Sequence, residues 1–178
     1  MSRWIPWSAP AREADWEALY AEQMPRVYNF FRYRVGDGPE AEDLTSATFE
    51  RAWRSRARYR GDLAGFAAWL FAIARNLAVD HYRARRPHVP LEAAESLAAP
   101  GSADRDAAHR SDCERLLVLL SALPDREREL ISLKYGAGLT NRAIARVTGL
   151  GESNVGTILH RTIAGLRERW DRKETHHG

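Results

Sequence analysis

The chain has 178 residues, enough for one domain or two small ones, and its 44% hydrophobic content argues against wholesale disorder. The net charge is only +3, and the single cysteine, Cys113, excludes an intramolecular disulfide and a multi-cysteine zinc site. The longest nearly unbroken apolar run, Leu63 to Ala74, is too short to span a bilayer, and no N-terminal segment reads as a signal peptide. A soluble, cytoplasmic protein without direct membrane insertion is therefore expected.

The charge is unevenly spread. Residues 1–86 carry 14 basic and 11 acidic side chains, 87–110 carry 2 and 4, and 111–178 carry 11 and 9. Two mildly basic blocks thus flank an acidic connector. Lys134 and Lys173 are the only lysines. Arginine dominance suits phosphate contact, because the planar guanidinium binds an oxyanion through two hydrogen bonds. A GC-rich coding sequence would produce the same bias.

Residues 1–12 contain Trp4, Pro6, Trp7 and Pro10 without helical period and read as a tail. From Asp15 the spacing turns helical, with Leu19, Val27, Phe30, Phe31 and Val35 on recurring faces and a kink or break expected at Pro25. Gly36-Asp37-Gly38 stops this helix, and Pro39 suits the first turn of the next, which runs to about Arg56 and presents Leu44, Phe49 and Trp53. The loop Arg58-Tyr59-Arg60-Gly61 follows. Asp62 can cap a long third helix with a buried stripe of Phe66, Leu70, Ile73 and Leu77, ending in Arg83-Ala84-Arg85-Arg86 before Pro87. Proline, glycine and alanine then mark residues 87–110 as a linker, with at most transient helix over 91–98. Periodicity resumes over Cys113–Leu123 and, after Pro124, through Leu130, Ile131 and Leu133 to a stop at Gly136–Gly138. No strand or repeat is evident. The predicted class is all-α: two small helical domains, 13–86 and 111–174, joined by the 87–110 linker, with tails at 1–12 and 175–178.

The most informative stretch is Leu139 to Trp170. Thr140 can cap a short helix over Asn141–Thr148, Gly149-Leu150-Gly151 makes a tight turn, and a longer helix starts near Glu152, which is a helix-turn-helix pattern. At 100° per residue, Val155, Leu159, Thr162, Leu166 and Trp170 share the inward side of that helix. Ser153, Asn154, Thr157, His160 and Arg161 gather on the opposite side near its N-terminus, where such motifs reach the major groove. An ordinary amphipathic hairpin with a solvated outer face would share the period.

A second constellation lies in the N-terminal half. Arg51, Arg54, Arg56, Arg58 and Arg60 fall within ten residues, with Tyr59 among them and no acid between. Arginines can neutralise nucleic-acid phosphates, and an aromatic plane can stack on an unpaired base. Along the third helix Asn76, Asp80 and Arg83 fall on one stripe away from the apolar one, with Arg85 and Arg86 beyond. A solvated face with local ion pairs, including an i,i+3 pair of Asp80 with Arg83, is the plainer account. Trp53 and Trp69 read more readily as core.

Taken together, these residues resemble bacterial RNA polymerase sigma factors of the extracytoplasmic-function (ECF) group of the sigma-70 family. The resemblance covers about residues 15–86 and 111–170. Its marks are Ala41-Glu42-Asp43-Leu44 with Phe49-Glu50-Arg51-Ala52-Trp53, then Trp69 through Asn76, then Leu139-Thr140-Asn141, Gly149-Leu150 and Leu159-His160-Arg161. It implies a non-enzymatic subunit without cofactor or metal that binds core RNA polymerase through Asp43, Leu44, Phe49, Arg51 and Trp53. The promoter −10 element would be engaged by Arg56, Arg58, Tyr59, Arg60, Asn76, Asp80, Arg83, Arg85 and Arg86. Ser153, Asn154, Thr157, His160 and Arg161 would read the −35 element of promoter DNA. An anti-sigma factor is an expected partner. Gly151, Gly156, Ile158 and Ile163 depart from the usual pattern, so no −35 sequence can be carried over.

Two other functional classes fit the residues less well. A stand-alone helix-turn-helix regulator would bind a duplex, typically a palindrome, tightly without polymerase. For an enzyme, the densest acidic group, Asp37, Glu40, Glu42 and Asp43, lacks metal-ligand spacing, and neither a nucleophile motif nor a phosphate loop accompanies it.

Overall fold

A computed structural model describes residues 16–36, 38–59, 63–85 and 105–174. Among these residues seven α-helices follow in order: α1 Trp16–Val35, α2 Pro39–Ser55, α3 Leu63–Arg85, α4 Arg105–Ser121, α5 Asp125–Ile131, α6 Asn141–Thr148 and α7 Glu152–Glu174. A 3-10 turn, Arg56–Arg58, extends α2, and a π turn, Ser132–Gly136, extends α5. No strand occurs among the described residues. The expected tails, the Asp62 cap, Arg60, Arg86 and the possible helix over 91–98 lie outside them.

Helix α1 passes through Pro25 without interruption. Of the kink or break expected there, the break does not occur, since Val27, Phe30 and Phe31 beyond it are fully buried. That packing holds the turn that a missing proline N–H would otherwise weaken. Helix α2 starts with Pro39 in its first turn, as its fixed φ favours. Helix α4 begins at Arg105, so residues 105–110, expected in the linker, are helical. Composition alone gave no sign of this, because Arg105-Asp106-Ala107-Ala108 is equally at home in linker and helix.

The buried side of α3 is Phe66, Leu70, Phe71, Ala74 and Ala78, while Ile73 and Leu77 are only half-buried against the core. The expected stripe thus holds at Phe66 and Leu70 and rotates beyond them. The reason is that α3 packs on α1 and α2 and also on α6, so more than one of its faces is covered.

The two halves are in contact. Helix α1 packs on α2 and α3 and also on α4, α5 and the π turn. Gly136 makes this approach possible: a Cβ there would stand 2.8 Å from the Asn29 carbonyl oxygen, so no larger residue fits without displacing backbone. Charged groups complete the seam. Arg34, 1% exposed, donates from Nη2 to Asp125 Oδ1 at 2.7 Å, with its guanidinium 4.6 Å from the centre of the Tyr82 ring. The Tyr82 hydroxyl donates to the Arg34 carbonyl, and Arg128 Nη1 reaches both that carbonyl (3.1 Å) and the Tyr82 oxygen (2.9 Å). Arg75 Nε donates to the buried Glu129 Oε1 at 2.7 Å, and Arg26 Nε donates to the Ala137 carbonyl at 2.8 Å. Such pairs fix orientation more than they add stability, because desolvation offsets much of their attraction.

Candidate nucleic-acid interface

The C-terminal motif forms as its local chemistry dictates. Thr140 Oγ1 accepts from the Ala143 N–H, satisfying one of the free donors at the start of α6. Gly149 closes α6 with φ of +76°, a left-handed conformation that costs glycine nothing. Helix α7 then starts at Glu152, whose carboxylate suits the positive end of the helix dipole. Ile144 and Val155 are fully buried between α6 and α7, and Leu159, Thr162 and Leu166 continue the inward side. Trp170 ends that side only half-buried, with the Arg115 guanidinium 4.1 Å from its ring centre.

All five residues expected on the outer face of α7 are exposed: Ser153, Asn154, Thr157, His160 and Arg161. Packing of the two halves therefore leaves this face open. Beside it lies a recess of about 300 Å³ lined by Lys134, Tyr135, Asn141, His160 and Arg167, among others. Lys134, Tyr135, Asn141 and Arg167 were missed in the sequence, where Lys134 stands 26 positions from His160 and only the fold joins them. Lys134, Arg167 and the exposed Arg161 give this side a cationic rim, with no acid among the described residues that line the recess.

The N-terminal constellation divides. Arg51, Arg54, Arg56 and Arg58 are exposed. Arg54 pairs with Glu50 at 2.5 Å, while Arg56 lies 3.9 Å from the centre of the Trp53 ring and donates to the Trp53 carbonyl at 2.8 Å. Tyr59 is half-buried in an aromatic group, its ring 5.5 Å from Phe66 and 5.0 Å from Trp69. Trp16 joins the same group through Trp53, Phe66 and Trp69. Trp69 is half-buried, but Trp53 is 51% exposed, which corrects the core reading of that residue. Asn76, Asp80 and Arg83 are all exposed along one stripe of α3. Arg85 ends that helix; Arg60 and Arg86 fall outside the described residues. On α2, Asp43, Arg51 and Trp53 are exposed and Leu44 and Phe49 half-buried.

No group of three or more His, Cys, Asp or Glu residues that could hold a metal ion occurs among the described residues, and none of their helices is long and apolar enough to cross a membrane. The arrangement offers polar and cationic surfaces suited to binding an extended polyanion.

Comparison with known proteins agrees with this geometry. Residues 19–88 match the family model for Sigma-70 region 2, and residues 113–164 match that for Sigma-70, region 4. The chain is 31% identical over 163 residues to the ECF RNA polymerase sigma factor SigL of Mycobacterium tuberculosis, covering 90% of this chain and 91% of SigL. It is 35% identical over 168 residues to the ECF RNA polymerase sigma factor BldN of Streptomyces coelicolor, an alignment that spans 89% of this chain and 61% of BldN's length. The fold is shared with the sigma factor RpoE of Bartonella quintana, solved in complex with the anti-sigma factor NepR, at a TM-score of 0.64 and 23% identity, covering 86% of this chain and 95% of that one. By fold, motif order and kinship over nearly the whole of SigL, the chain belongs to the ECF RNA polymerase sigma factor family.

Proposed function

We propose that this protein binds core RNA polymerase in the cytoplasm and directs it to promoters by reading two DNA elements, acting through binding alone. The observation that carries this reading is the open outer face of α7, where Ser153, Asn154, Thr157, His160 and Arg161 stand exposed although the two halves of the chain pack together. Asn154 and Arg161 supply paired hydrogen bonds to base edges of the −35 duplex, and Ser153 and Thr157 bond bases or phosphates. His160, Lys134 and Arg167 hold the backbone beside them.

The −10 element is engaged from the other half. Asn76, Asp80, Arg83, Arg85 and Arg86 on and beyond α3 meet bases and phosphates, and Arg56, Arg58, Tyr59 and Arg60 take the separating strands. Tyr59 offers a ring already held by Phe66 and Trp69, so stacking an unpaired base on it entails little further ordering. Asp43, Leu44, Phe49, Arg51 and Trp53 on α2 form the polymerase contact. An anti-sigma factor is the expected regulator.

Geometry constrains how the halves act together. Two elements separated by about 17 base pairs lie roughly 58 Å apart at about 3.4 Å per pair. The residues between Arg85 and Arg105 span at most roughly 65–70 Å when extended. The tether reaches, and the halves would engage the two elements by parting at the seam around Arg34 and Arg75. A gel-shift series with duplexes carrying both elements, with and without core polymerase, tests the reading. Tight, selective binding only in the presence of core is expected; equal binding to a palindrome without core would instead identify a stand-alone regulator.

A further inference from the structure

The described chain begins at an apolar groove. Trp16, Tyr20, Phe49, Trp53 and Phe66 border about 470 Å³ of open space between α1, α2 and the start of α3, with Glu17 the one charged residue among the described residues of its lining. Tyr20 and Trp53 on its walls are 50% and 51% exposed, and Met24, one turn along α1 from Tyr20, is 40% exposed. Large aromatic side chains left in water side by side mark a surface that receives something apolar.

We propose that the segment Trp4-Ile5-Pro6-Trp7 folds back into this groove and masks Phe49 and Trp53; the masking rests on the polymerase-docking role given to these two residues above. The tether favours this occupant. Trp16 is itself a wall of the groove, and only eight residues separate it from Trp7. Those residues reach at most about 30 Å, so the segment faces the groove at an effective concentration on the order of millimolar. Trp4, Ile5 and Trp7 are large and apolar, and aromatic rings entering the groove would meet Trp16, Tyr20 and Trp53 edge-on or offset. Pro6 and Pro10 restrict the backbone and lower the entropy lost on docking. Arg3, beside Trp4, complements Glu17.

Limited trypsin cleavage after Arg12 in the full chain tests the docking, because this bond lies in the loop that docking would close. The comparison is with Trp4→Ala/Trp7→Ala, which leaves every groove residue in place. Cleavage of the unaltered chain at least about fivefold slower than of the double variant is expected, at the same ratio for low and high chain concentrations. Equal rates would overturn the docking, and protection that grows with chain concentration would assign the groove to a second copy and overturn it likewise. Core polymerase binding tests the masking: the double variant should bind several-fold more tightly, since its docking face is free a larger fraction of the time. Protection with unchanged core affinity would reduce the segment to a strap and overturn the masking. Failure of every variant to bind core would sink the masking together with the reading it rests on, while intact protection would leave the docking standing.

Discussion

The two regions proposed to face DNA are built differently. The outer face of α7 is a set of exposed polar side chains on a helix whose start, register and inward side are fixed by its own sequence and by Thr140, Gly149 and Val155. The region around the α2–α3 loop instead shares its residues with the core: Tyr59 packs on Phe66 and Trp69, and Arg56 lies over Trp53. Substitutions on α7 should therefore change recognition without changing stability, whereas substitutions at the loop should change both. The seam between the halves is a third case, in which stability of the closed form is set against the opening proposed for reading two separated elements.

The largest effect is expected at the seam. Arg75→Ala leaves the Glu129 carboxylate buried without this partner, which costs the closed form about 3 kcal/mol, and the halves can avoid that cost by parting. Small-angle scattering should show a larger radius of gyration while helical content is retained; an unchanged radius with a lowered melting temperature would mean that the seam belongs to the folded core. Next comes Tyr59→Ala, which removes a ring from the aromatic group and should cost about 1–3 kcal/mol in thermal or urea unfolding, together with loss of −10-dependent open-complex formation. Loss of one effect without the other would break the comparison with α7. Arg161→Ala should lower transcription from a promoter with an intact −35 element about tenfold. As the residue is exposed, stability should stay within about 0.5 kcal/mol, and activity on a scrambled −35 element should not fall further. The smallest effect belongs to Thr140→Ala, which removes a helix cap and should destabilise the C-terminal motif by about 1 kcal/mol, read as a small shift in denaturant midpoint.

The same contrast accounts for what could be read from sequence. Local rules sufficed where one helix buries one face: the Thr140 cap, the Gly149 turn, the start of α7 and the exposure of Ser153, Asn154, Thr157, His160 and Arg161 all follow from spacing and capping chemistry. They failed where a helix meets neighbours on several sides. The α3 stripe rotated from Ile73 and Leu77 to Phe71, Ala74 and Ala78 because α6 also packs on it. Pro25 did not interrupt α1 because the burial of Phe30 and Phe31 outweighs one missing hydrogen bond. Trp53 stayed exposed although its hydrophobicity suggested core, and the seam of Arg34, Arg75 and Arg128 had no sequence signal at all, since its partners lie 46 to 94 positions away. The residues flanking the α7 face, Lys134 and Arg167, were invisible for the same reason: the π turn that carries Lys134 to the recess is a tertiary feature.

Two helical modules on one chain are proposed to read two separated DNA elements once docked on polymerase. Selection from a randomised promoter library by in vitro transcription, with core enzyme and this protein, tests this reading most directly. Promoters with two short elements at a fixed spacing should be enriched, and Arg161→Ala should remove only the upstream element's signal. Transcripts no different from those of core enzyme alone would contradict it.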